Sequence, residues 1–403
     1  MAAPDPSRPP GPATITPPDA PEPDALRVRS TVHVMVAFDV GQSIDLDQAA
    51  SLVAAEGAAQ RLGLGPGKRT PAYLDYRPLP VRVSGPAESV RVSTAGAEWS
   101  TDPGFDAILF DFGAVSITQQ IAFEGTLGDL LDLADALYEH GPVIDAARTV
   151  LDNITPAVRE AISRPHLAEP VECYVVFQCG DARLARVVAA KHPDTDALIA
   201  GILRSERKRL SAEEIADALG AKISYGQHDV SLIDWNSAII VDPGDALPGA
   251  PGAGRGGDDI RSVLEYANVE LLEMRVLDDR LDQILDESYR FMVGRRPKGL
   301  PSGVGGLNRI ARLQMDSALI YEAVNNAIKL VGDQYLARVY RLAARRFHLP
   351  ERDSSIERKL TTLDSIYTKL QDRRASRRME LLEWIIIILI FISMVMPFLP
   401  WTH

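Results

Sequence analysis

The sequence predicts an α+β protein, with a mixed α/β N-terminal head, a long-helix hairpin or bundle, and a single C-terminal transmembrane helix. Three observations predict this. β-branched runs alternate with helical periods from about residue 30 to 243, a Pro/Gly-rich stretch then gives way to nearly pure helical rhythm, and an apolar run of 15 residues follows near the end. Composition agrees. A chain of 403 residues exceeds one typical domain, and 46% hydrophobic with 24% charged residues excludes wholesale disorder. A formal charge of -12 argues against a general nucleic-acid binder. Two cysteines exclude a disulfide scaffold and a cysteine-built zinc site.

Residues 1–29 are rich in Pro, Ala and acid without an apolar period, and are expected to form a disordered tail. The head spans 30–243. Thr31–Phe38 reads as a strand and 45–62 as a helix, with short strands near Val81–Val83 and Val90–Val92. Asp106–Ile117 is expected to be one buried strand bent or bulged at Gly113. Thr126 and Asp129 stand at capping spacing for a helix to His140, with Gly141 just past its end, and a second helix covers 143–162. Val171–Gln178 is a strand. Ser211 and Glu214 form a capping box for a helix ending at Gly220, and 222–241 reads as two strands with a turn near Gly226 or Asp234.

Residues 244–258 are a flexible Pro/Gly linker. A helical hairpin or coiled-coil stalk is expected over 259–380. Ile260, Leu264, Ala267, Leu271, Met274, Leu281, Leu285 and Met292 fall on a 3-4 rhythm that suits a bundle core or a coiled coil equally. After a turn at 294–306, helices cover 307–331 and a stretch to Phe347, and Pro350 stops the chain. Ser354 and Glu357 then cap one long helix, with the seam Ile356, Leu360, Leu363, Tyr367 and Leu370.

The anchor is placed at 381–401. Trp384 and Trp401 bracket a run that includes Ile385, Ile386, Leu389, Phe391, Val395 and Phe398. The 18 residues between and including the two Trp would span about 27 Å of helix, near a bilayer core of about 30 Å. Arg373, Arg374, Arg377 and Arg378 precede it, and the positive-inside rule then holds the head in the cytoplasm.

No HExxH, CxxC or GxSxG pattern occurs, so neither a catalytic residue, nor a metal site, nor a cofactor is expected. Gly303–Gly306 lacks the Lys-Ser/Thr ending of a phosphate loop. Cys173 and Cys179, six apart on a strand, share one face and read as buried apolar residues. Arg338, Arg341 and Arg345 share one helical face and form the best basic patch in the head, a candidate contact for a partner or RNA. The competing expectation is a hydrolase or nuclease built on Asp111, His228 and Asp234, which requires the three to converge.

The stretch SRRMELLEWIIIILI (376–390) closely resembles the end of the "required for meiotic nuclear division" protein family, a domain of unknown function. ILFDFGAVSI (108–117) and LEYANVELLEMRVLDDRLDQIL (264–285) resemble further parts of it. The family usually continues to a Trp after the Gly, where this chain has Ser116, Ile117 and Thr118. The terminal span, the heptad-like seams and the lack of any chemical motif lead to the expectation of a non-enzymatic, membrane-tethered, tail-anchored scaffold that self-associates through its helices. The resemblance implies an anchored member of large complexes that supports translation by tethering ribosomes. The head would face a cytoplasmic protein or the ribosome in support of translation, with nucleic acid touched only through ribosomal contact. No catalytic residue is established in the family, so none carries over. Residues 1–29 lack a transit or secretory pattern, so the expected location is a bacterial inner (cell) membrane, single-pass, with the N-terminus and head cytoplasmic.

Overall fold

The computed structural model describes residues 27–54, 59–61, 79–94, 96–243, 256–292, 315, 318, 321 and 334–395. The first half is built from β1 (Arg27–Asp39), β2 (Ser43–Ile44), α1 (Leu46–Ala54), β3 (Ala59–Arg61), β4 (Val81–Pro86), β5 (Arg91–Ser93), β6 (Glu98–Ser100), β7 (Gly104–Leu109), β8 (Ala114–Thr126), α2 (Leu127–Leu137) and α3 (Gly141–Val158). Then come β9 (Ile162–Ser163), β10 (Glu172–Cys179), α4 (Ala182–Ala190), α5 (Pro193–Arg204), α6 (Ala212–Gly220), β11 (Lys222–Ile223), β12 (Val230–Ile233) and β13 (Ser237–Val241). Three long-range helices follow: α7 (Gly256–Met292), α8 (Gln334–Arg346) and α9 (Leu349–Val395).

Nine strands form one sheet in the order β11-β12-β13-β10-β1-β8-β7-β4-β3. Every pairing is antiparallel except β10 with β13. The centre is buried on both faces, which is why β1 reads as an almost unbroken apolar run. Val32, Val34, Val36 and Phe38 point to the face covered by α1 to α6, into an aliphatic core with Ile117, Ile121, Leu130 and Phe177. Met35, Ala37, Tyr174, Val176 and Ile240 point to the opposite face, covered by Leu264, Ala267 and Leu272 of α7 and by Val339 of α8 and Ile356 of α9.

Several sequence expectations change here. The helix expected over 45–62 stops at Ala54, and Ala59–Arg61 pairs with β4 instead. The single strand over 106–117 is a hairpin, β7 to β8. Gly113 takes φ +104° in its turn, where a Cβ would stand 2.0 Å from the Gly41 carbonyl oxygen. Thr126 and Asp129 form the expected capping box, but Gly141 opens α3 after a His140 cap rather than closing α2. Residues 222–241 make three strands, with Gly226 between β11 and β12 and Asp234 between β12 and β13. Helices α4 and α5 have no counterpart in the sequence reading, although Asp181 caps the first and Pro193 starts the second.

The helical rhythm of α7 serves a layer on the sheet. Ile260, Leu264, Ala267, Met274 and Leu281 are buried there. Ile356 and Leu363 of α9 belong to the same core, so the first part of that seam is consumed within the chain. Pro350 does not stop the chain but lies in the first turn of α9, just after His348 turns left-handed at φ 55°. Ser354 is already helical and donates from Oγ to the Pro350 carbonyl at 2.9 Å, so it is no cap.

The transmembrane expectation is overturned. Among the described residues no helix is long and apolar enough to cross a membrane. The apolar part of α9, Ile385–Val395, rises only about 16 Å, half of a bilayer core of about 30 Å, and the turn before it carries Glu380 and Glu383. Trp384, Ile385, Ile386, Leu389 and Phe391 are exposed on this segment, Val395 is its last residue, and Phe398 and Trp401 lie outside the described residues. The tail-anchored, single-pass inner-membrane location falls with the span.

Candidate functional site

The acid–histidine site fails on topology. Asp111 sits in the turn between β7 and β8, and Asp234 in the turn between β12 and β13. Four strand spacings separate those turns, about 19 Å at about 4.8 Å each. His228 precedes β12, at the opposite end of that strand from Asp234. Asp234 is fully buried and tied down: Arg204 Nε donates to Oδ2 at 2.9 Å, and Arg346 Nε stands 3.4 Å from Oδ1. Asp217 binds both arginines from α6. This cluster fastens α8 to the sheet edge, with Asp234 itself out of reach of solvent.

The cysteines are equally committed. Both face the aliphatic core, and burial pushes the Cys173 thiol up to about 12 and the Cys179 thiol up to about 11, which leaves no thiolate for chemistry near neutral pH.

The unexpected feature is a polar seam beneath α7. Glu265 Oε1 accepts from Ser116 Oγ at 2.6 Å and from Thr118 Oγ1 at 3.2 Å, across the layer boundary. Glu273 is buried, and burial together with the nearby Asp39 charge raises its carboxyl well above the usual range. His166 Nε2 stands 3.3 Å from Asp39 Oδ2, and that carboxylate raises the affinity of the imidazole for its proton. The loop holds its place because His166 N–H donates to the Val40 carbonyl. His33, by contrast, is pushed down to about 4, chiefly by burial. No His, Cys, Asp or Glu grouping that could hold a metal ion occurs among the described residues.

One concavity gathers cations. A groove of about 630 Å³ opens between β11, α7, α8 and the start of α9. Arg338, Arg341 and Arg345, one exposed stripe on α8, line it together with Lys222 from β11. None of these four side chains makes an ion pair among the described residues, although Arg346, one position further on, is held by two carboxylates. The wall beneath is apolar, with Ile223, Met274 and Leu349, and is backed by Glu270. Tyr340 Oη donates to Glu270 Oε2 at 2.5 Å, and burial pushes the Glu270 carboxyl up to about 8.

The basic patch expected from sequence is thus brought together, with Lys222 and Glu270 as additions. Lys222 is distant in sequence and could not be found by helical spacing. Glu270 does carry a signal: an acid flanked by Val269 and Leu271 on a helix with an apolar face. The side chains of Arg373, Arg374, Arg377 and Arg378 lie outside what the structure describes, as does the Gly303–Gly306 segment.

Residues 29–246 match the family described as "Uncharacterized protein MJ0711, N-terminal domain". The chain belongs to that family. The matched region holds the whole nine-stranded sheet and both two-stranded ones except the first two residues of β1, together with α1 to α6. Helices α7 to α9, which supply three walls of the groove, lie beyond it. The uncharacterized protein MJ0711 of Methanocaldococcus jannaschii is 23% identical over 207 residues, covering 50% of this chain and 59% of the archaeal protein. No solved structure matches.

Proposed function

We propose that this protein is a non-enzymatic scaffold: a sheet-based body that presents a surface to a partner, and a helical arm through which copies associate. The observation that carries the proposal is the distal part of α9. After Leu363 the helix leaves the core, and Trp384 to Ile392 are nine consecutive large apolar side chains, each about half exposed or more. A monomer rarely leaves so much contiguous apolar surface to water, and because the side chains point all around the helix, a bundle of several copies covers them better than a pair. The absence of convergence among Asp111, His228 and Asp234 weighs against the hydrolase or nuclease reading.

The test is the mass of the purified full chain by sedimentation equilibrium. An oligomer at micromolar concentration that Ile386→Glu with Ile390→Glu dissociates supports the scaffold, whereas a monomer of the unaltered chain overturns it. The resemblance to the meiotic nuclear division family makes the ribosome the partner to try first. Co-sedimentation of the full chain with ribosomes is the expected result, and its absence in about 0.1 M salt removes that partner.

A further inference from the structure

The groove over α8 has a composition that a protein–protein scaffold does not explain. Four cations surround one opening, and among the described residues none of them makes an ion pair. Arg338, Arg341 and Arg345 stand three and four residues apart on one helix face, where like charges repel. Arginine forks fit phosphate oxygens in paired hydrogen bonds. We propose that the groove binds a phosphate-bearing small molecule of nucleotide size, with its phosphates on Lys222, Arg338, Arg341 and Arg345 and its less polar body against Ile223 and Met274.

Size and lining favour this ligand over a nucleic-acid strand. A volume of about 630 Å³ falls within the range of about 300–1,000 Å³ typical of small-molecule sites. The arginines span about 10 Å of helix, enough for two or three linked phosphates but short for a strand. A strand also calls for exposed aromatic rings on which bases stack. The aromatic side chain in the lining, Tyr340, is buried and its hydroxyl is committed to Glu270. The acids of the wall do not spoil the site. Burial keeps Glu270 largely protonated near neutral pH, which leaves Asp353, one oxygen of which accepts from the Tyr321 hydroxyl, as one carboxylate against four cations.

The experiment is calorimetric titration of the full chain with ATP and, separately, with inorganic pyrophosphate. Saturable binding of both is expected, weakened at least about tenfold by Arg341→Glu with Arg345→Glu. These side chains are exposed, and an unchanged circular dichroism melt shows that the variant folds. Arg29→Glu, at the start of the central strand β1 and outside the groove, is expected to leave binding unchanged. Absence of binding up to about 1 mM of either probe overturns the proposal. So does binding that the groove variant leaves intact, or binding of a single-stranded RNA of about 20 nucleotides that neither ATP nor pyrophosphate displaces.

Discussion

The two faces of the sheet solve the same burial problem with different chemistry. The face under α1 to α6 is closed chiefly by aliphatic and phenyl groups such as Val34, Phe38, Ile121 and Leu130, with the uncharged amide of Gln119 buried among them. The face under α7 also buries Leu264 and Ala267, but between them it encloses Glu265, Asn268, Glu270 and Glu273. A dry core depends on volume and is nearly indifferent to pH. A core with enclosed carboxyls depends on protonation as well, since each raised carboxyl binds a proton more tightly folded than unfolded.

The sharpest way to break the contrast is to empty the dry face. Phe38→Ala removes a fully buried ring over which the Arg148 guanidinium sits at 5.7 Å. It should destabilise by about 3–5 kcal/mol in denaturant unfolding, by the same amount at pH 6.5 and pH 8. A loss that varies strongly with pH would show that the faces are not separable.

The next effect belongs to the wet face. Glu270 is raised from an ordinary 4.5 to about 8, so its contribution is fully present below 4.5 and is lost as pH rises through 8. His33, lowered to about 4, acts oppositely between 4 and 6.5, where stability rises with pH. Above 6.5 His33 has nothing left to contribute, and stability should fall toward pH 8 by up to a few kcal/mol. Glu270→Gln keeps an acceptor for Tyr340 and should flatten that decline. Tyr340→Phe removes the hydrogen bond that favours the carboxylate and should shift the decline to higher pH. Equal slopes in all three proteins would remove Glu270 as the cause.

Smaller effects calibrate these. Thr126→Ala removes the Oγ1 acceptor for the Asp129 N–H and the Oγ1 donor to Asp129 Oδ2 while keeping the backbone N–H of the box, and should cost about 1 kcal/mol in the same assay. Arg29→Ala breaks an exposed pair with Glu124 and should change stability by less than about 0.5 kcal/mol.

Legibility in the sequence followed the range of the interactions. The capping pairs Thr126 with Asp129 and Ser211 with Glu214 act within one turn; the first is a complete box, whereas Ser211 accepts from the Glu214 N–H but the Glu214 carboxylate goes to Arg204. The strand at Val171–Gln178 and the helical rhythm from Ile260 were equally plain. Gly113 was misread because a bulge and a hairpin turn both want glycine, and only the pairing of Leu109 with Val115 distinguishes them. The role of α7 was misread because a sheet and a partner helix demand the same apolar stripe. The acids within it, Glu265 with Ser116 and Glu270 with Tyr340, find partners 149 and 70 residues away, beyond the reach of local pattern. The arginine stripe was legible from spacing alone, but its concavity needed Lys222. The apolar run near the end suggested a span, yet the described helix supplies too little of it.

Helix α9 also has a mechanical aspect. Its 47 residues make a rod about 70 Å long, gripped only near its base by the core residues Ile356 and Leu363. The stretch beyond Leu363 is a lever arm of about 48 Å, so a tilt of about 5° at the grip sweeps the tip through about 4 Å. Leu349, Pro350 and Asp353, on the short side of that grip, also line the groove. A displacement of a few tenths of an ångström at that end is therefore about doubled at the other, a mechanical advantage set by nothing more than where the helix is clamped.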